Sequence, residues 1–77
     1  MSVEQATTIV AQATGIAPGL VTSELAAGEA PGWDSLGHMR IVLALEGVVA
    51  RELTTDEIMS LRTVADIAAL LRATAAN

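Results

Sequence analysis

Ser35 and His38 are the two residues whose types and spacing most suggest covalent chemistry, a hydroxyl and an imidazole three positions apart. Such a pair can serve as nucleophile and base. However, no Gly-x-Ser-x-Gly elbow surrounds Ser35, and one short helix provides no second wall for an oxyanion hole. Asp56 and Glu57 stand together where a helix should begin, a position at which carboxylates complement the helix dipole rather than act as an acid–base pair. His38 is the only histidine and cysteine is absent, so no imidazole cluster, thiolate metal site or disulfide framework is expected. The chain reads as a non-enzyme without catalytic residues or metal ligands, and His38 as a surface residue of a docking helix.

Ser35 is placed for another kind of chemistry. It follows the turn expected at Pro31-Gly32 and the pair Trp33-Asp34, and it opens an apolar helix. A hydroxyl at a helix N-terminus lies beside free backbone amides and the positive end of the dipole, which favours a phosphate ester. Taken alone, Asp34-Ser35 is more simply read as an N-cap, common at helix starts.

The elements that must position this serine are all helical in pattern. Ser2-Val3-Glu4-Gln5 fits a capping box, and Val3, Ala6, Ile9, Val10 and Ala13 follow at helical spacing until Gly15. Apolar residues cover most of the circumference from 36 to about 49, as expected of a helix packed against several neighbours. Its least apolar stripe is Gly37, Arg40, Ala44 and Gly47, which predicts a smooth docking surface approached by another protein's backbone, or else a face tolerant of drift. A second box, Thr54-Thr55-Asp56-Glu57, opens a short helix through Ile58 and Met59. Thr63 can cap a last helix carrying Val64, Ile67, Ala68, Leu70 and Leu71. The long connection 15–34 should be pinned by Ile16, Leu20, Val21 and Leu25, with a short helical turn starting at Pro18. The expected core is Val3, Ile9, Val10, Leu20, Leu25, Leu36, Val42, Leu45, Leu53, Ile58, Leu61, Val64, Ile67 and Leu71.

Composition limits what such a domain does. Its 77 residues allow one small domain, 1–77, and 52% hydrophobic content allows an apolar core. A formal net charge of −5 and Trp33 as sole aromatic residue argue against nucleic acid, which needs cations and stacking platforms. The longest strongly apolar run, Ile41-Val42-Leu43-Ala44-Leu45, falls far short of the ~20 residues a membrane span needs. The start, Met1-Ser2-Val3-Glu4-Gln5, lacks the basic stretch and apolar block of a secretory signal, so a soluble cytoplasmic monomer is expected.

Gly32-Trp33-Asp34-Ser35-Leu36-Gly37-His38-Met39, running on to Ala44-Leu45-Glu46, resembles the prosthetic-group segment of acyl carrier proteins. Glu52-Leu53-Thr54, Asp56-Glu57-Ile58 and Thr63-Val64-Ala65-Asp66-Ile67 resemble that family's loop, short third helix and fourth helix, so the likeness spans nearly the whole chain. It implies an all-α, four-helix bundle with a long first loop and a short third helix. It also implies a covalent cofactor, 4′-phosphopantetheine, attached to Ser35 by a phosphopantetheinyl transferase from coenzyme A with magnesium. Acyl-loading and acyl-processing enzymes would then be the further partners. By position, Asp34 becomes a transferase contact, Leu36 and Met39 flank the base of the arm, and Gly37, Arg40, Leu43, Glu46, Asp56 and Glu57 become docking residues.

Departures from the family pattern bear on the pathway. Fatty-acid-type members carry several acids along the second helix where Gly37, Arg40 and Gly47 stand here. Val49-Ala50-Arg51 replaces the usual Phe-Gly and aliphatic, removing the glycine that readily forms a left-handed cap. These changes favour a stand-alone carrier of a polyketide or other specialised pathway over a fatty-acid-like one. The alternatives are a peptidyl or aminoacyl carrier of nonribosomal peptide synthesis and an unmodified helical interaction module.

Overall fold

Caps and breakers set the helix boundaries. The computed structural model describes residues 2–75, with side chains from 3 to 74. α1 runs Ser2–Thr14, α2 Ser35–Val49, α3 Thr55–Ser60 and α4 Val64–Ala75, and a 3-10 turn covers Pro18–Leu20. The fold is a small all-α bundle of these four helices, with a long first connection and a short third helix. Among the described residues there is no strand, only an isolated antiparallel bridge between Ala26 and Thr63.

Thr54 and Glu57 form the expected capping box, with Thr54 Oγ1 accepting from the Glu57 amide at 3.1 Å and Glu57 Oε1 accepting from the Thr54 amide at 2.9 Å. Thr63 and Asp66 do the same for α4, with 3.2 and 3.1 Å bonds. The amide of Gly15 reaches back to the Ala11 carbonyl at 2.9 Å and ends α1 as predicted. The box expected at Ser2 turns on a side chain outside the described ones.

α1 packs against both α2 and α4. Ala6, Ile9 and Val10 of α1 meet Ile41, Val42 and Leu45 of α2 and Val64, Ile67, Ala68 and Leu71 of α4 in one buried cluster. α3 contributes no buried residue; the buried Leu53 and Leu61 flank it, and Ile58 packs partly against the core. The connection 15–34 is held by buried Ile16, Val21 and Trp33, and by backbone bonds to the start of α4, including Val64 N to Leu25 O at 3.1 Å.

Three expected core residues lie outside. Val3, Leu20 and Leu36 are 43%, 68% and 61% exposed. Val3 sits in the first turn of α1, Leu20 in the 3-10 turn, and Leu36 on the outer side of α2. α2 itself is not enclosed on all sides. Its buried stripe is Gly37, Ile41, Val42 and Leu45, while Leu36, Met39, Leu43 and Val48 face outward. No helix is long and apolar enough to cross a membrane among the described residues.

α2 ends without glycine. Ala50 itself takes the left-handed conformation, φ 61° and ψ 33°, and its amide reaches the Glu46 carbonyl at 2.9 Å. That conformation costs a non-glycine residue about 1–2 kcal/mol, partly offset in glycine by its greater loss of backbone freedom. Ala50→Gly is therefore expected to raise stability by about 0.5–1 kcal/mol, seen as a higher urea midpoint at constant m. A lowered midpoint would contradict this cap.

Candidate functional site

The N-terminus of α2 is built by a turn whose backbone passes between two helices. Gly32 has φ +102°, and a Cβ there would meet the Thr14 carbonyl oxygen at 2.6 Å. On its other side the Gly32 carbonyl lies against Gly37, where a methyl group would overlap it. The end of α1, the Pro31-Gly32 turn and the start of α2 are thus in backbone contact, which fixes where α2 begins. Gly37 is consequently buried rather than part of an exposed docking stripe. The backbone that comes close to it belongs to this chain. Arg40, Ala44 and Gly47 remain exposed.

Of the two possible caps it is Asp34 that closes the helix. Its Oδ1 accepts from the Gly37 amide at 2.8 Å, and its carbonyl accepts from the His38 amide at 2.8 Å. Ser35 is therefore the first helical residue. It is exposed, and its hydroxyl makes no hydrogen bond among the described residues.

Trp33 and His38, on either side of the cap, complete the corner. Trp33 is fully buried, and its Nε1 donates to His38 Nδ1 at 3.1 Å. The residue before an N-cap commonly packs on the fourth helical residue, and here an indole and an imidazole fill those places, nearly parallel at 16° with centroids 6.4 Å apart. His38 Nε2 lies 3.3 Å from the Ile58 carbonyl of α3. Because Nδ1 accepts, the proton is on Nε2, which donates to Ile58: a neutral ring in a defined tautomer. His38 is thus a half-buried structural residue rather than a surface one. With both nitrogens engaged it is not positioned as a base for Ser35.

Beside Ser35 opens a groove of about 860 Å³. Met39 from α2, Ile58 and Met59 from α3, and Leu61 give it apolar walls, and Ser35, Asp34 and Arg62 also border it. Leu36, Met39, Arg40 and Leu43 share the exposed side of α2, with Leu43 63% and Met39 50% exposed. That spacing, i, i+3, i+4, i+7, is one apolar stripe holding one cation.

The remaining acids divide into two sets. Glu46 is half-buried, and its Oε2 accepts from the Leu53 amide at 3.0 Å, holding the α2–α3 connection. Glu57 forms a two-pronged ion pair with Arg51 at 2.9 and 2.7 Å. These bonds, with the one from the Thr54 amide, lower its carboxyl to about 2. Asp56 is exposed in the first turn of α3. Of the acids expected at a docking surface, Glu46 and Glu57 thus serve the fold.

Trp33 and Ile41, both fully buried, were absent from the expected core. The sequence did carry a signal for Trp33, an apolar residue immediately before a capping Asp with a ring four places after that cap. No protein-family model matches the chain, and no curated protein matches it either.

Proposed function

We propose that this chain is an acyl carrier. Ser35 would bear a 4′-phosphopantetheine arm for the enzymes of a polyketide, other specialised or fatty-acid-like pathway. The observation that carries the reading is the division of labour at the start of α2. Asp34 does the capping, so the Ser35 hydroxyl is exposed and unengaged beside an apolar groove. Once attached, the arm supplies the thiol that this cysteine-free chain lacks and holds an acyl group on it as a thioester.

Ser35 Oγ would form the new bond to the coenzyme A phosphorus nearer the pantetheine. The pyrophosphate P–O bond breaks, and 3′,5′-ADP departs with the bonding electrons. The hydroxyl proton passes to a base of the transferase, since both His38 nitrogens are committed to Trp33 and Ile58. The first amides of α2 and its dipole favour the anionic phosphodiester left on Ser35. Leu36 and Met39 flank that position on the outer face.

Incubation with coenzyme A, magnesium and a broad-specificity phosphopantetheinyl transferase, followed by intact mass, tests the proposal. A gain of one phosphopantetheine mapped to Ser35 is expected, and an unchanged mass would overturn it.

The same reading makes the outer stripe of α2 the partner surface. Arg40 would repel the basic patches that acid-rich carriers meet, so the partner presents an apolar or acidic surface. Arg40→Glu should slow acyl transfer from the cognate enzyme and speed it with fatty-acid-type enzymes. A change of up to about fivefold is expected, since one exposed charge contributes under ~1 kcal/mol. Steady-state transfer at low and moderate salt checks this. Equal rates in both assays would remove Arg40 from partner choice.

A further inference from the structure

α3 is the least anchored helix of the bundle. It has six residues, none buried, and depends on its flanking leucines and on contacts at Ile58. One of those contacts is the bond from His38 Nε2 to the Ile58 carbonyl, while the opposite nitrogen of the same ring accepts from Trp33 Nε1. A single imidazole therefore joins α3 to the buried Trp33, and it does so only in its neutral form. A protonated ring carries an N–H on both nitrogens. Nδ1–H would then face the Trp33 N–H, donor against donor, and the buried indole would lose its acceptor.

We propose that His38 is a proton-operated latch: neutral, it fastens α3 to the Trp33 turn, and protonated, it releases α3 and opens the groove beside Ser35. The charges around it do not remove the conflict. Asp34 borders the same groove, but its carboxylate holds the Gly37 amide. Arg62, on the connection after α3, also borders it and is itself a cation. On α3, Glu57 is held by Arg51 and Thr54, and Asp56 is exposed. From the long connection, the Glu29 carboxylate accepts from the Ala26 amide. None of these supplies an acceptor for Trp33 Nε1. Ile58 and Met59 form the α3 side of the groove, so release of α3 widens it. The consequence for an acyl group on Ser35 rests on the carrier reading, whereas the latch belongs to the unmodified chain.

The test uses that unmodified chain, so failure of the latch and failure of loading are separate results. Imidazole ¹⁵N shifts at pH 8 should show the Nε2–H tautomer. Emission from the sole tryptophan should change in a one-proton step as the pH is lowered from 8. Across that step the α3 amides should exchange about threefold to tenfold faster, after correction for intrinsic rates, while α1 and α4 stay protected. His38→Gln should remove the step, and Asp34→Asn, which can still cap, should retain it. An Nδ1–H tautomer at pH 8, a step that survives His38→Gln, or α1 and α4 opening together with α3 would each overturn the latch. Because tautomer, emission and exchange are read on the wild type, a poorly folded variant does not rescue the idea.

Discussion

Ser35→Ala is expected to abolish loading completely while leaving the fold intact. Most helix-start serines carry a cap, and their removal costs about 0.5–2 kcal/mol. Here the cap is Asp34, and the Ser35 hydroxyl is exposed without a partner in the described structure, so its removal breaks nothing. Alanine is also the better helix former. Stability should therefore stay within about 0.5 kcal/mol of wild type, the usual range for an exposed position. Intact mass after the transferase reaction should show no gain, because the variant lacks the one hydroxyl this reading assigns to the arm. Asp34→Ala is the matched control. It should lose about 1 kcal/mol with its cap yet keep the hydroxyl, so slower but measurable loading is expected. A Ser35→Ala protein that gains the arm would refute the site assignment, whatever its stability.

Two glycine substitutions on α2 should move stability in opposite directions. In an isolated helix, either Gly37→Ala or Gly47→Ala gains about 1 kcal/mol. At Gly47 nothing lies within 4 Å of an added Cβ, so the propensity gain should appear in full. At Gly37 the new methyl overlaps the Gly32 carbonyl, and the obstacle is backbone rather than a movable side chain. Relief requires shifting the Pro31-Gly32 turn, which is itself pressed against the Thr14 carbonyl. A loss of about 3 kcal/mol or more is expected, at the top of the usual range for an overfilled site. That is a large share of a small domain's stability. Denaturant titration of both variants gives the sign directly. Because the shift also displaces the Asp34–Gly37 cap, Gly37→Ala should load poorly even below its unfolding midpoint. A Gly37→Ala protein as stable as wild type would mean that the turn does not rest on the helix.

What the amino-acid sequence determined by itself is what acts within about one helical turn. Thr54 with Glu57, Thr63, Gly15 and Pro18 sit at the boundaries found, because caps and breakers satisfy or remove amides only three or four residues away. The Asp34-Ser35 pair at the opening of an apolar helix was legible for the same reason, and so was the helical class of the whole chain.

Tertiary structure alone decided how those pieces share surfaces. With apolar side chains around most of α2, the pattern put Val42 and Leu45 inside, but no periodicity could say that Ile41 would turn inward and Leu36 outward. The docking of α1 chose. Gly37 and Gly47 look alike in sequence, and only a turn arriving from outside the helix makes one indispensable and leaves the other in open space. Glu46 became a ligand for the Leu53 amide and His38 a bridge to Ile58, seven and twenty residues away. A hydrogen-bonding side chain is free to choose among every group the fold brings near it, and that choice is settled only when the helices have packed.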